Sequence, residues 1–397
     1  MDFAFTKEEE AFRQEVREWL KKEIPARWYE LSPGLFEENE EIWDIARQFE
    51  KRLAEKGWWA PSYPTEYGGV NATFMKQCIL MEEKARAHAP ATMNQFFTVG
   101  IVGPTLMLYG SEEHKKKYLR GIGTAEHVFC LGYSEPTSGS DLAAIQTRAI
   151  EDGDDLVING QKIFTTLAHR AEHCWLAVKT DPDALRHKGI SMLIVDMKTP
   201  GITVRPLKNI IGYHEFNEVF FDNVRVPKTA LVGEKNRGWY YMMTALSYER
   251  SSGVTGPAYM YTFIQDLAKY AKETASDGGA LSDDPLIQQR LASMATDVEV
   301  SRLLCYRVAD LESRGKVPSY EASVSLVFAA ELARRVAKWG GEILGLYGQL
   351  ARDSKWATLR SAIDVLYLST LVLGIGGGTN EIQRNVIALL GLDLPRE

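Results

Sequence analysis

The sequence predicts an α+β protein in which a helical domain, a strand-rich domain and a second helical domain follow one another. Apolar residues recur at the spacing of amphipathic helices up to residue 125. Short runs of β-branched and aromatic residues, separated by turn residues, then fill 126–234. Helical spacing returns after that. We therefore predict an N-terminal α-helical domain (1–125), a middle antiparallel β-barrel domain (126–234) and a C-terminal four-helix-bundle domain (235–397).

The first helix is predicted from its cap and its spacing. Thr6 and Glu9 make a capping-box pattern, and apolar residues then recur every four positions from Phe12 to Leu20 until Pro25 ends the run. A cap followed by such a stripe indicates an amphipathic helix with one buried face.

More helices are predicted before residue 125. One begins near Glu38 and carries four apolar residues on its expected inner face: Trp43, Ile45, Phe49 and Leu53. The segment Trp58–Asn71, which contains two prolines and a glycine pair, is predicted as a loop. Helices resume at Phe74 and run to the basic stretch His114–Lys117, which we interpret as a solvated helix face.

The middle block is predicted as antiparallel β-structure because turn signals separate its short apolar runs. These signals are Asp152-Gly153, Asn159-Gly160 and Pro200-Gly201. Parallel strands need long crossovers, and no helix of useful length fits between the runs. The predicted strands lie at 127–134, 154–160, 162–166, 174–180, 190–197, 202–207 and 218–226. The last block is predicted to contain helices at Met242–Thr274, Pro285–Ser313 and Tyr320–Leu346.

Charge and cysteine content exclude several classes of protein. Among the 397 residues, 46 are Lys or Arg and 53 are Asp or Glu, a net charge of −7, which argues against nucleic acid or an anionic membrane as partner. The four cysteines are widely spaced, as in reduced proteins without disulfides or zinc. Acidic residues occupy the N-terminus, and the apolar stretch Val365–Ile375 is too short for a bilayer. We predict a cytoplasmic protein.

Two strings of small residues are candidate ligand loops. Gly132–Asp141 (GYSEPTSGSD) follows a predicted strand and carries several hydroxyls, although a tight loop has the same composition. Gly374–Asn380 (GIGGGTN) opens a predicted helix capped by Thr379 or Asn380, so its free N–H groups suit a phosphate. It lacks the third glycine of a dinucleotide fingerprint and the lysine of a P-loop.

Two further features concern titratable groups. Glu249 shares a helical stripe with Ala245, Gly253 and Gly256, which leaves room for a ligand and suits a general base, although a surface glutamate beside Arg250 explains the pattern as well. His169–His173 (HRAEH) matches a metalloprotease string but links two predicted strands, so we predict an exposed turn and no metal.

The ordered strings resemble the acyl-CoA dehydrogenase family over essentially the whole chain. GYSEPTSGSD is similar to its first signature, and the predicted α, β-barrel, α order to its architecture. Asn159–Thr166, Phe220–Trp239 and Gly377–Asn385 resemble, in order, its next strand, its entry to the C-terminal bundle and its closing motif. The resemblance implies FAD as cofactor and removal of an α-proton with transfer of the β-hydride to flavin N5.

The resemblance also implies site residues. The residues expected to bind FAD are Leu131, Gly132, Tyr133, Ser134, Ser140, Phe164, Thr165, Thr166, Glu342, Thr379 and Glu381. The residues expected to contact the acyl-CoA are Ser140, Tyr240, Ser247, Arg250 and Gly377. Many members carry the catalytic carboxylate at the position of Gly377, which cannot act as a base, whereas isovaleryl-type and long-chain-type members carry it at the position of Glu249. Glu249 is therefore the expected base.

Two departures from the family pattern affect the expected partners. The R-x-x-F-G string is missing from Glu273–Arg290, and Glu342 replaces a glutamine that contacts FAD. We expect an electron-transferring flavoprotein as electron acceptor and a homotetramer, with a heterotetramer as the alternative. A non-catalytic or co-catalytic subunit, an acyl-CoA oxidase and a non-oxidative acyl-CoA lyase remain alternative functions, and the acyl group stays open.

Overall fold

The computed structural model describes residues 4–31, 39–249, 255–276, 279–316, 318–352 and 354–395, without the side chains of 247–249. The chain divides into two compact units. One comprises Met1–Glu37, Thr73–Pro90 and Arg250–Glu397, and the other comprises Glu38–Ala72 and Ala91–Glu249. We call them the bundle unit and the sheet unit. The predicted boundaries at residues 125 and 234 stay predictions.

Helices and strands alternate in three blocks, as predicted, and the α+β class is confirmed. The helices are α1 (Lys7–Glu23), α2 (Ala26–Leu31), α3 (Glu40–Glu55), α4 (Phe74–Arg86), α5 (Gly103–Tyr109), α6 (Glu112–His114), α7 (Arg120–Gly123), α8 (Gly238–Glu249), α9 (Thr255–Glu273), α10 (Pro285–Ser313), α11 (Tyr320–Leu344), α12 (Ala362–Ser369) and α13 (Asn380–Val386). The strands are β1 (Phe129–Gly132), β2 (Arg148–Asp152), β3 (Asp155–Lys162), β4 (His173–Lys179), β5 (Ile190–Asp196), β6 (Ile202–Lys208), β7 (His214–Pro227), β8 (Leu231–Val232), β9 (Ala275–Ser276) and β10 (Gly279–Ala280). Within these ranges no helix is long and apolar enough to cross a bilayer.

The bundle unit is built around α9, α10, α11 and α12. Leu267, Met294, Val336 and Leu366, one from each helix, are at most 1% exposed in a shared core. Burial of such side chains is the main force that holds the helices together, at about 1.5–3 kcal/mol for each large apolar residue. Asp284 caps α10 by accepting a hydrogen bond from the Leu286 N–H, which fixes the start of the helix. Both predicted bounds of this helix, Pro285 and Ser313, are confirmed.

Three other helix predictions need adjustment. The helix predicted at Met242–Thr274 corresponds to α8 and α9, and residues 250–254 between them lie outside the described residues. Helix α11 ends two residues before its predicted end, because Gly345 takes a φ of +58°. The predicted capping box of α1 is confirmed, with Thr6 and Glu9 bonded reciprocally. The α3 prediction has the right helix and half of its buried face. Phe49 and Leu53 are fully buried as predicted, whereas Trp43 and Ile45 are only half-buried and Ile42 and Ala46 complete the face.

The sheet unit contains one eight-stranded sheet. Its strand order is β6-β7-β3-β2-β4-β5-β8, and β1 pairs with β4. Residues that alternate along the strands form its core, among them Ile158, Leu176, Leu193 and Val219, all fully buried.

The sheet differs from the prediction in two respects. The prediction that all its strands are antiparallel is wrong, because β1 pairs parallel to β4 from Phe129 opposite His173 onward. The strand predicted at 162–166 is also wrong. β3 ends at Lys162, since Phe164 takes a φ of +55°, which an extended strand cannot accommodate.

Candidate active site

The end of β1 and the segment after β3 lie side by side in the sheet unit. The Ile163 N–H donates to the Ser134 carbonyl at 2.9 Å, which brings Ser134 next to the predicted flavin residues Phe164, Thr165 and Thr166. The Phe164 ring is 59% exposed and its backbone is left-handed. An exposed aromatic ring held in this way offers a flat apolar surface to a ligand.

Thr165 is fixed at its backbone and free at its hydroxyl. Its N–H donates to the Asn217 carbonyl at 3.0 Å, and the Asn217 side-chain amide donates back to the Thr165 carbonyl at 3.0 Å. The Thr165 Oγ1 is buried and has no hydrogen-bond partner within the described residues. A buried hydroxyl without a partner is costly and points to a polar ligand at this place.

Two stacked histidines lie behind Asn217. The rings of His169 and His214 are 4.0 Å apart, and both bond the Asn217 side chain, at 3.1 and 2.8 Å. Burial and the neighbouring His214 lower the pKa of His169 to about 4, so this ring is neutral near pH 7. The predicted exposed turn is thus partly buried, and no metal cluster occurs among the described residues.

The three residues before Ser134 offer a ligand mainly backbone groups, because their side chains are absent, turned inward or half-buried. A Cβ on Gly132 would lie 2.6 Å from Leu176, so glycine there permits packing against β4. The Tyr133 ring points inward, where its hydroxyl accepts a bond from the Trp175 indole at 3.0 Å. The Leu131 side chain is half-buried.

The predicted substrate residues of the sheet unit adjoin a basic turn. Ser140 is exposed, and its neighbour Asp141 pairs with Arg186 at 2.7 Å. Arg186–Gly189 is a 3₁₀ turn that carries three basic residues in succession. The His187 ring lies 6.3 Å from the exposed Tyr240 ring. Ser140 and Tyr240 therefore lie beside the same turn.

The predicted base and its neighbours fall at an edge of the described structure. Helix α8 ends at Glu249, while the side chains of Ser247 and Glu249, and Arg250 entirely, lie outside the described residues. Helix α8 is anchored within the sheet unit, since Tyr241 stacks on Tyr109 with ring centroids 4.3 Å apart.

The remaining predicted residues belong to the bundle unit. Thr379 caps α13 by accepting from the Ile382 N–H at 3.3 Å, and Glu381 is exposed with its pKa lowered by backbone and Thr379 hydrogen bonds. Gly377 has a φ of +70°, and its carbonyl accepts from the buried Gln383 amide at 3.0 Å. The turn is therefore held rigidly in a conformation that favours glycine.

Glu342 is engaged within its own chain. Its carboxylate lies 2.6 Å from the Arg290 guanidinium, in a partly exposed ion pair. Glu342, which replaces the glutamine of the family pattern, is thus neutralised by Arg290, the last residue of the stretch that lacks the R-x-x-F-G string.

Sequence reasoning missed a buried pair beside the site. Lys162 and Glu135 lie 2.8 Å apart and are almost fully buried. The alternation along β3 could have found the lysine, because Leu156, Ile158 and Lys162 all face inward, and a charged residue at an inward position requires a partner. Nothing in the sequence identified Asn217 as the anchor of Thr165.

Comparison with known families accounts for nearly the whole chain. The models of the acyl-CoA dehydrogenase N-terminal, middle and C-terminal domains match residues 6–126, 130–224 and 236–389. The chain belongs to the acyl-CoA dehydrogenase family. It is an oxidoreductase that acts on CH–CH groups, and the enzyme class predicted from the motifs is confirmed.

Similar proteins cover this acyl-CoA dehydrogenase from end to end. The acyl-CoA dehydrogenase FadE26 of Mycobacterium tuberculosis is 35% identical, over 100% of this chain and 99% of its own. The crystal structure of the ChsE4–ChsE5 complex from the same organism is similar at 35% identity and a TM-score of 0.89, with both chains fully covered. A structure described as the Tcur3481–Tcur3483 steroid ACAD gives the same three values.

Proposed function

We propose that this acyl-CoA dehydrogenase carries out FAD-dependent α,β-dehydrogenation of an acyl-CoA thioester, with Glu249 as base and an electron-transferring flavoprotein as acceptor. The observation that carries the assignment is the pair of positions Gly377 and Glu249. Gly377 has no side chain to accept a proton, and its φ of +70° disfavours a carboxylate residue there. Glu249 is the last described residue of a helix anchored in the sheet unit.

The residues of the sheet unit fit FAD. The unpartnered Thr165 hydroxyl and the exposed Phe164 ring offer one polar and one flat contact, and the end of β1 beside them offers backbone groups. FAD, when bound, accepts the substrate's β-hydrogen as hydride. The carboxylate of Glu249 takes the α-proton, so that the thioester leaves as its α,β-unsaturated product.

The basic turn gives this acidic chain a local site for the phosphates of coenzyme A. His187 and Lys188 lie next to Ser140 and Tyr240 together with Arg186, which shares its charge with Asp141 in an exposed pair, and the Arg237 guanidinium lies 4.4 Å from the Tyr240 ring centroid. Cations beside aromatic rings suit an adenine nucleotide, because the rings stack on the base and the cations bind phosphate. Local charge of this kind allows anion binding despite the net charge of −7.

Removing charge from this turn is expected to weaken substrate binding without slowing chemistry. The double variant Arg186→Gln/Lys188→Gln should raise KM for an acyl-CoA about tenfold, or about 1.4 kcal/mol, with kcat nearly unchanged and a weaker dependence of KM on salt. Lys198→Gln, at another exposed position of the sheet unit, is the control and should behave as wild type. An unchanged KM in the double variant would reject the assignment of this turn.

For the acyl group we propose a ring-bearing, steroid-like chain. Support comes from the steroid ACAD, which resembles this chain over its full length at 35% identity. The test is kcat/KM for straight, branched and ring-bearing acyl-CoA thioesters, followed with an artificial acceptor and with oxygen. We expect the ring-bearing thioester to be best and oxygen to be a poor acceptor. A preference for straight chains would refute the substrate class, and rapid oxygen consumption would indicate an oxidase.

A second candidate function is that of one subunit in an unequal pair. The ion pair between Arg290 and Glu342 favours it, because neither charge is left for a cofactor, and the similar ChsE4–ChsE5 structure is a complex of two different proteins. Expression of the chain alone separates the two cases. A yellow homotetramer with one FAD per chain supports the first function, whereas a flavin-poor product that gains flavin with a co-expressed sister chain supports the second.

A further inference from the structure

Among the residues that the structure describes, Glu135 and Lys162 form the most deeply buried ion pair beside the candidate flavin residues. Their side chains are 4% and 0% exposed, and the Lys162 Nζ lies 2.8 Å from the Glu135 carboxylate. The same Nζ donates to the Tyr133 carbonyl at 3.0 Å. Burial of two charges costs several kcal/mol per ion unless geometry and hydrogen bonds compensate, so this pair must be held closely.

The hydrogen bonds of Glu135 show how it is held. Its carboxylate accepts from the backbone N–H groups of Gln146, at 2.6 Å, and Thr147, at 2.9 Å. Burial alone would raise the pKa of Glu135, but the Lys162 charge and these donors lower it. The carboxylate therefore stays ionised and fixed between β1, β2 and β3.

The pair connects the two segments that are expected to contact the flavin. Glu135 follows Ser134 directly, and Lys162 precedes Phe164 by two residues. The Ile163 N–H closes the connection by donating to the Ser134 carbonyl at 2.9 Å. The left-handed backbone of Phe164 costs about 1–3 kcal/mol and persists only where its surroundings hold it.

We propose that the pair of Glu135 and Lys162 is a positioning element that sets Ser134 and the Phe164–Thr166 segment at the spacing the flavin ring requires. The proposal rests on the proposed function, because it takes FAD as the ligand. Both side chains are almost fully buried in the sheet unit, so in this proposal each charge acts through the backbone of the segment that carries it. A purely structural pair would stabilise the sheet unit without affecting cofactor affinity.

The sheet unit offers a matched control. Glu50 is 1% exposed, pairs with Arg47 at 2.5 Å, and accepts from the N–H and hydroxyl of Thr92 at 3.0 and 2.6 Å. It is thus a buried, multiply bonded carboxylate of the same kind that touches none of the candidate flavin residues. Glu135→Gln and Glu50→Gln each remove one buried carboxylate charge, although the partner Arg47 is 13% exposed and the partner Lys162 is 0% exposed.

The experiment titrates FAD into flavin-free wild type, Glu135→Gln and Glu50→Gln, well below the melting temperature of each. Both variants should lose similar thermal stability. Only Glu135→Gln should raise the Kd for FAD, by about tenfold or more, and alter the visible absorption band of the bound flavin. Glu135→Asp, which keeps the charge on a shorter arm, should fall between wild type and Glu135→Gln, and it replaces that variant if the latter does not fold.

Two results would overturn the proposal in distinguishable ways. Equal Kd values and identical flavin spectra for the Glu135 variants and Glu50→Gln would show that the pair is only structural, with the proposed function intact. Failure of the wild type to bind FAD would refute the cofactor assignment, and the positioning role would fall with it.

Discussion

Glu249→Gln is expected to reduce the rate of flavin reduction by acyl-CoA about 10²–10⁴-fold, the usual contribution of a positioned general base. The amide has nearly the shape of the carboxylate but cannot take the α-proton, so binding should change little while the chemical step slows. Anaerobic stopped-flow measurement of the flavin's visible absorbance gives the rate directly, and a titration with acyl-CoA gives the affinity.

A matched carboxylate controls for unspecific effects of charge. Glu273→Gln changes an exposed glutamate in the last turn of α9. In this variant, acyl-CoA should reduce the flavin as fast as in the wild type. If Glu249→Gln also bleaches its flavin at the wild-type rate, another group takes the proton and the assignment of the base is wrong.

The second large effect is expected on stability, at Glu82 of the bundle unit. This carboxylate is fully buried and accepts hydrogen bonds from Arg13 at 2.9 Å, Arg86 at 3.0 Å, Arg302 and the Tyr306 hydroxyl. Glu82→Gln removes the carboxylate that the three arginines share and leaves Arg13 with Glu83 at 2.5 Å and Arg302 with Glu299 at 3.5 Å. This loss should lower the free energy of unfolding by about 3 kcal/mol. Urea denaturation followed by circular dichroism measures the loss.

Lowering the pH should remove from the wild type the stabilisation that the ionised Glu82 carboxylate provides. Burial alone would raise the pKa of Glu82, but hydrogen bonds from Arg302 and Tyr306 lower it to about 2, against a usual 4.5. A pKa that is lower in the folded state contributes stability above pH 4.5 and loses it as the pH falls toward 2. The difference between wild type and Glu82→Gln should therefore shrink over that range.

An exposed pair of the bundle unit is the control for Glu82. Glu331 pairs with Arg384, and both side chains are at least 39% exposed. Glu331→Gln should change the free energy of unfolding by at most about 1 kcal/mol. An equally small effect at Glu82 would show that the buried network does not stabilise the unit.

The sequence predicts most of this fold because the helices carry local signals. Asp284 and Pro285 mark the start of α10 and the Thr6 capping box marks α1, and both helices begin there. The parallel pairing of β1 with β4 has no local signal, since it depends on contacts between residues about 44 positions apart. The false strand at 162–166 arose because Phe164 and its neighbours have strand propensity, which its left-handed backbone overrides.

The candidate site was predictable only where motifs are contiguous. Ser134 and the segment Phe164–Thr166 are expected site residues from the resemblance of their strings to the family's, and a backbone hydrogen bond joins the two segments. The partners that fix them, Glu135 to Lys162 and Asn217 to Thr165, are separated by 27 and 52 residues. Such pairs are specified by strand register, which one sequence does not display.

The central claim, that this chain dehydrogenates an acyl-CoA through its own flavin, is tested most directly by a single anaerobic turnover. Wild-type protein with bound FAD is mixed with one equivalent of a ring-bearing acyl-CoA while the flavin absorbance is recorded. The molecular mass of the product is then measured by mass spectrometry. We expect the flavin to bleach in proportion to the amount of a product that has lost one proton and one hydride. A product of that mass formed without bleaching, or a thioester of unchanged mass, would contradict it.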